Sequence, residues 1–348
     1  MRHFFSLLAT GTAAFLSVLS CKQEPRNTEP LTDPWLRDRT PVNVRFEGQI
    51  GAAVISDDWR NDAVGTVSVS LITSSLDLAK VKVEAIDFKY PDSPYCPTAS
   101  IAPGSTVDLS GGSARFTVTA YNGEKREYTV TYTGFSDPLE GTYSFTPVGG
   151  ILDPSNAPKS AFILVGGWDG AVVRSTVMDK WWHWGAGYKP TDEDDNLLSF
   201  RLEKADAETG ATFGTLVNTP GADGLYANYL YNNATDVNDR YRILPSGKSR
   251  WGKTSEDVID IYAWEDTGYT APLYQVHILK GGDLTYDGVS FNVPVMAFSR
   301  SFEGPFNNDV GDWNNDARWF VSNLRHVFWL VQKDSDQALD NHDGFLND

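Results

Sequence analysis

Phe116-Thr-Val-Thr-Ala-Tyr-Asn122-Gly123-Glu-Lys-Arg-Glu-Tyr-Thr-Val-Thr-Tyr132 places two alternating runs on either side of an Asn-Gly pair. Strict alternation of apolar and polar residues sends successive side chains to opposite faces of an extended chain. Asn-Gly tolerates positive φ at both central positions of a type I′ turn, whose twist matches that of the flanking strands. The stretch therefore predicts an antiparallel hairpin. Phe116, Val118 and Ala120 share one face, and Tyr128, Val130 and Tyr132 supply the same face of the partner strand. A lone hairpin is marginal in water, so this one must belong to a larger sheet.

Working outward, the same period recurs. Val42, Val44 and Phe46 alternate with polar residues, as do Val67, Val69 and Leu71, and Val81, Val83 and Ala85. With turns such as Pro103-Gly104 and Gly111-Gly112, these short strands predict an immunoglobulin-like β-sandwich over 42–134. Gly134-Phe-Ser-Asp-Pro138 breaks the pattern and sets a domain boundary. Beyond it, 139–348 again reads as strands: Ala161 to Val165, Leu197 to Leu202, Tyr226 to Tyr231, Val258 to Trp264, Leu273 to Leu279, Val289 to Phe298 and Arg325 to Val331. No long amphipathic helix is visible. The expected class is all-β, with a larger β-sandwich of jelly-roll type following the first domain and a calycin-like barrel as the alternative.

The N-terminus reads as an export signal. Arg2 and His3 precede an uncharged apolar run from Phe4 to Leu19, too short for a comfortable membrane span. Ending on Val18-Leu19-Ser20-Cys21, residues 1–20 resemble a bacterial lipoprotein signal, which implies acylation of Cys21 and attachment to a membrane through that lipid anchor. Residues 21–41 are polar and proline-punctuated, as an extended tether would be. The acidic residue in Lys22-Gln23-Glu24 resembles the surface-export signal of Bacteroidota lipoproteins.

Without the leader, 28 Lys plus Arg face 46 Asp plus Glu, a formal charge of −18. A field of that sign repels phosphate backbones, so nucleic acid is excluded as an expected partner. With Cys21 acylated only Cys96 remains, which rules out an intrachain disulfide and suits a small buried hydrophobe.

Nine of the eleven Trp lie beyond the boundary, which makes the second domain the functional half. Trp181, Trp182 and Trp184 fall within four positions, followed by Gly185, Gly187 and Tyr188 and then the acidic run Asp192 to Asn196. Such flanks suit a surface loop, where exposed indoles imply a ligand or partner that covers them; a packed corner is the other reading. In Asp257-Val-Ile-Asp-Ile-Tyr-Ala-Trp264, parity puts Ile259, Ile261 and Ala263 on one face and Asp260, Tyr262 and Trp264 on the other. Two aromatics beside a carboxylate suit a sugar, whose C–H face lies on a ring while its hydroxyls bond the edge. Burial of both faces is equally open. Trp251 and Trp313 stand in polar surroundings and join the candidate binding set.

Metal and catalytic signals are weaker. Asp312-Trp-Asn314-Asn-Asp316 spaces oxygen ligands as a calcium loop does, but Ala317 and Asn323 stand where Gly and a bidentate Glu are needed. Asp192 to Asn196 reads as a solvated acidic run at which calcium stays open; no other cofactor is expected. His183, His277, His326 and His342 show no zinc spacing. No nucleophile elbow, His-Glu-x-x-His or phosphate loop is present. Asp260, Glu265 and Glu303 are the carboxylates near aromatics that a glycosidase would draw on.

A lipoprotein signal, a tether, an immunoglobulin-like module and a Trp-rich β domain in series resemble the surface glycan-binding lipoproteins of polysaccharide utilisation systems in Bacteroidota. The hairpin wording around Asn122-Gly123 resembles the spacer modules of such proteins. The resemblance implies capture of a polysaccharide or oligosaccharide without catalysis at the outer membrane, beside a glycan transporter complex. The alternatives are a glycoside hydrolase or polysaccharide lyase using the same cleft, and a structural or adhesion lipoprotein.

Overall fold

The structure is a computed structural model that describes residues 34–57, 64–168, 171–185, 187, 189–303 and 323–334. The signal segment, Cys21, Tyr188, Trp313 and the 312–316 loop lie outside the described residues, so those expectations are not addressed by it.

The first unit has eight strands: β1 (Pro41–Phe46), β2 (Gln49–Asp57), β3 (Val64–Ile72), β4 (Val81–Phe88), β5 (Thr98–Ala99), β6 (Thr106–Val107), β7 (Ser113–Thr119) and β8 (Lys125–Phe135). They form two sheets, ordered β1-β4-β6 and β2-β3-β8-β7-β5. The pair β3–β8 is parallel. Val44, Phe46, Val81 and Val83 from one sheet meet Val67, Val69, Phe116, Val118, Tyr128 and Val130 from the other in a single core. The alternating runs are thus the inner faces of a sandwich.

The hairpin forms with Phe116 opposite Tyr128, their rings stacked at 5.2 Å. Its turn differs from the expected type I′. Tyr121, Asn122 and Gly123 make a three-residue loop, closed by Ala120 N–H to Glu124 C=O at 2.8 Å and Gly123 N–H to Ala120 C=O at 2.9 Å. Gly123 alone takes positive φ, +88°. The Asn122 side chain instead accepts the Glu124 N–H, at 3.0 Å. That local bond favours the longer loop over the two-residue turn.

The bounds expected for the tether, 21–41, include residues that pack on the first unit. Pro34–Arg37 forms a 3₁₀ turn, Leu36 is buried, and its carbonyl accepts from Asn122 N–H at 3.0 Å. The Tyr128 hydroxyl donates to the Arg39 carbonyl at 3.1 Å. Residues 34–40 are therefore packed against the hairpin.

The second unit holds β9 (Gly141–Phe145), β10 (Phe162–Trp168), β11 (Ala171–Thr176), β12 (Leu197–Ala205), β13 (Thr212–Thr219), β14 (Leu230–Tyr231), β15 (Thr235–Asp236) and β16 (Gly247–Ser255). It continues through β17 (Val258–Tyr262), β18 (Tyr274–Leu279), β19 (Gly282–Tyr286), β20 (Val289–Val293), β21 (Met296–Ser301) and β22 (Leu324–Lys333). Strands β9-β12-β13-β16-β17-β18-β21-β22 follow one another, and β22 pairs back onto β9 to close an eight-stranded antiparallel barrel. Hairpin β10–β11 attaches to β22, and hairpin β19–β20 lies over the outer wall, where Phe291 and Val293 pack on Ile163, Val165, Ala297, Phe328 and Leu330.

This strand order corrects the jelly-roll expectation. A jelly roll sends consecutive strands to opposite sheets, whereas each wall strand here pairs with its neighbours around a ring. That order is the one of an up-and-down barrel. Two strand assignments also change. Tyr226 to Tyr231 is mostly loop, with Ala227, Tyr229 and Tyr231 buried in the barrel core. Val289 to Phe298 splits at Pro294, whose missing N–H cannot serve a ladder.

Candidate functional site

The barrel has two unlike ends. At one end the chain arrives from the sandwich through 136–140, and most connections between wall strands are short. The opposite, distal end carries the long connections 146–161, 177–196, 220–246 and 263–273. Among the described residues, the exposed large apolar side chains of the barrel unit are Leu152, Trp181, Trp182, Leu225 and Leu273. All five belong to those distal connections.

Trp181 and Trp182 sit on a 3₁₀ turn, Trp181–His183, and are 48% and 52% exposed. Their rings lie 6.1 Å apart at 82°, so one plane walls the other. Two clamps hold the turn. Before it, buried Asp179 accepts backbone N–H groups from Ile151, Leu152, Asp153 and Thr176 and hydroxyls from Ser175 and Thr176. Burial alone would raise its carboxyl, but these donors together hold it below the usual carboxylate range. After the turn, Trp184 is 6% exposed and donates its indole N–H to the Val177 carbonyl at 2.7 Å. Its ring packs edge-on to Tyr229, Tyr231 and Tyr241.

This corrects the expectation for Trp184: it is the buried foot of the turn, not part of a wet platform. Parity separates it from its neighbours, because it forms an antiparallel bridge with Tyr231 while the 3₁₀ turn points the others outward. Gly185 follows because a Cβ there would meet the Asn233 side chain. His183 extends the exposed turn; its Nδ1 bonds Asn232 Oδ1 at 2.7 Å and its ring lies 4.9 Å from Tyr231.

Trp251 is also corrected. It lies within β16 and is fully buried, its indole N–H donating to the Thr215 carbonyl at 3.0 Å inside the barrel. In β17 the parity expectation holds and the exposure does not. Ile259 and Ile261 are buried in the barrel core, and Asp260 and Tyr262 point outward. Tyr262 is nevertheless covered, because Tyr269 of the next loop packs edge-on at 5.5 Å and also reaches Phe213 at 4.9 Å. Asp260 accepts from Gln275 Nε2 at 2.9 Å. Trp264 is half-buried, with Arg250 4.7 Å and Lys248 5.4 Å from its ring centre. Trp181 and Trp182 on one loop and Trp264 on another thus share the distal end.

The acidic run is not solvated as expected. Glu193 is buried and pairs with Arg242 at 3.3 Å, while accepting from Asn218 Nδ2 and Ala227 N–H. Burial raises its carboxyl despite those partners. Asn196 bonds Asn218 and accepts the Gly221 N–H. The run is a structural knot joining the loops beneath the Trp turn. Among the described residues, no group of three or more His, Cys, Asp or Glu is arranged to hold a metal ion.

Glu265 and Glu303 are exposed on different connections. One further chain of side chains was not foreseen: Ser301 Oγ lies 2.9 Å from His326 Nδ1, and His326 Nε2 lies 3.0 Å from Asp287 Oδ2. It ties the tip of hairpin β19–β20 to the barrel wall. A cleft of about 600 Å³, lined by Leu139, Tyr143, Lys253, Ile278, Leu284 and Met296, opens at the sandwich end, away from the indoles.

Lys180, His183, Asn232 and Lys248 were missing from the sequence reading of the site. Lys180 adjoins the Trp run and was legible as a neighbour; Lys248 and Asn232 reach the aromatics only through strand pairing. Comparison with family models, curated proteins and solved structures finds no match to the chain.

Proposed function

We propose that the chain is a surface lipoprotein that binds a polysaccharide or oligosaccharide without catalysis, using the indoles at the distal end of its barrel. One observation carries the reading. The wet apolar side chains of the barrel unit gather at the end away from the chain's N-terminal approach, and the two indoles among them are clamped by Asp179 and Trp184. Rigid aromatic surface that remains exposed is what a pyranose C–H face stacks on, and pre-organisation limits the ordering cost of binding. Trp264 offers a second platform, and several modest platforms on one end give avidity with rapid release.

In this reading Cys21 carries the lipid, the first unit is an immunoglobulin-like spacer, and the distal end faces outward to deliver glycan to an outer-membrane transporter complex. Tyr188 and Trp313, outside the described residues, remain proposed members of the binding set. Trp184 supports the Trp181–Trp182 turn from beneath, and Trp251 and Tyr262 are left out of the binding set.

Leu152, Leu225 and Leu273 favour a second reading, an adhesion surface for a protein, because isolated leucines stack poorly on sugars. Affinity electrophoresis of the full chain against a panel of neutral and acidic polysaccharides separates the two. Retardation that Trp181→Ala/Trp182→Ala abolishes, with no reducing ends released, supports capture. Release of reducing ends means an enzyme, and no retardation by any glycan removes the capture reading.

A further inference from the structure

Resting on the glycan-capture reading, we infer that the glycan is acidic, carrying carboxylate or sulfate groups that pair with lysines held over the aromatic platforms. Lys180 Nζ lies 5.1 Å from the centre of the Trp182 ring. Lys248 Nζ lies 5.4 Å from the centre of the Trp264 ring. The two lysines come from different elements, one preceding the Trp turn and one opening β16, and reach the same end of the barrel. Trp182 and the half-buried Trp264 thus each have an ammonium near the ring, Trp264 beside the Arg250 guanidinium at 4.7 Å.

The position of the ammonium discriminates between sugars. A cation over an indole occupies the electron-rich face on which a sugar must stack. A neutral pyranose displaces it and returns only uncharged hydroxyl oxygens to it. A uronate or sulfated sugar also displaces it from the ring but then supplies an anion within reach of the lysine's flexible stem. Exchange of cation–π contact for a charged hydrogen bond favours the acidic ligand at both platforms.

Local cations matter more in this chain than in most. Its formal charge of −17 repels a polyanion at long range. That repulsion is screened beyond about 8 Å at physiological salt, whereas the lysines act at contact. Several nearby carboxylates are engaged internally, while Glu265, beside Trp264, is exposed. Glu193 pairs with Arg242, and Glu203 with Arg250 at 2.7 Å. Asp266 accepts from Thr270 and Ala271 N–H groups. Asp195 accepts from Asp223 N–H.

The test is affinity electrophoresis of the detergent-solubilised full chain in matched gels: polygalacturonate against its methyl-esterified form, and dextran sulfate against dextran. The first pair reads carboxylate and the second sulfate. The expected result is at least tenfold tighter retention by the charged member of one pair, weakening as salt rises from roughly 50 to 300 mM. Lys180→Gln/Lys248→Gln should remove most of that preference, while Lys82→Gln in the first unit should not. Circular dichroism shows that each variant is folded. Equal or tighter retention by the neutral member, with loss in Trp181→Ala/Trp182→Ala, sinks the acidic assignment and leaves glycan capture standing. An unchanged preference in the double lysine variant also sinks it, as does no retention in any of the four gels; the wider panel then judges capture by itself.

Discussion

Asp194 shows how the knot beneath the indoles sets its own chemistry. Burial, helped by Glu193, Asp195 and Asp192, pushes its carboxyl from an ordinary 3.8 up to about 7, against the Ala161 N–H that it accepts at 2.9 Å. Between those values the folded chain binds a proton that the unfolded chain has lost, so stability falls as pH rises through the interval. Asp194→Asn keeps an oxygen for Ala161 and cannot ionise. It should melt higher than the parent at pH 7.5, with the gap closing towards pH 4, in thermal scans at several pH values. A gap that does not depend on pH would contradict this. The indoles divide in the same way. Trp184→Ala removes a buried ring and should cost about 3–5 kcal/mol in denaturant unfolding. Trp181→Ala and Trp182→Ala should each stay within about 0.5 kcal/mol, since neither ring is part of the packed core. The sequence showed that these indoles cluster but not which one is buried. The partners that bury Trp184, Tyr229 to Tyr241, lie 45 to 57 residues later and enter only through the fold. Trp251 misled for a related reason: its polar neighbours face outward on a strand whose inner face it shares with the core.

At the scale of elements, one hairpin was readable and its turn type was not, while the hairpin at Asp287-Gly288 was not read at all. Asn122-Gly123 reads as a type I′ turn and forms a longer loop, while Asp287-Gly288, with φ of +47° and +80°, connects Tyr286 to Val289 as a two-residue turn. A turn type depends on how its strands continue, and in β19–β20 the hairpin must bend back over the barrel wall. There Tyr286 packs 4.6 Å from the His326 ring and Asp287 reaches its Nε2. Burial lowers the basicity of His326, and Arg325 and His277 act in the same direction; Asp287 opposes them. Below the ordinary value of 6.5 the unfolded imidazole binds a proton that the folded one resists, so hairpin closure weakens as pH falls below about 6.5. Amide protection factors over 282–293, corrected for intrinsic exchange, should therefore drop between pH 7.5 and 5.5. In His326→Ala they should be low at both. Equal protection in the parent at the two pH values would show that the chain Ser301–His326–Asp287 does not latch the hairpin.

For the whole molecule, the sequence supplied strands and a boundary but left their order open. Barrel closure pairs Lys333 with Tyr143, a contact across most of the unit that no local period encodes. A jelly roll and an up-and-down barrel use the same alternating segments, so only long-range pairing separates them. The boundary is likewise more than a break in pattern. Asp137 accepts from Thr212 Oγ1 and Lys253 Nζ, each at 2.7 Å. Glu140 accepts from Leu202 N–H at 2.9 Å and from Ser74 Oγ of the first unit. Ile72, Ile50 and Phe135 of the sandwich pack on the barrel's core cluster. The two units therefore share apolar surface and a polar staple. Their unfolding should be coupled: calorimetry of the parent should show one transition. Asp137→Ala/Glu140→Ala leaves Leu202 N–H and Lys253 without their acceptors, at about 1–3 kcal/mol per buried group. That loss should split the endotherm in two, the barrel melting earlier and the sandwich near the parent temperature. Two resolved transitions already present in the parent would mean that the staple does not couple the units.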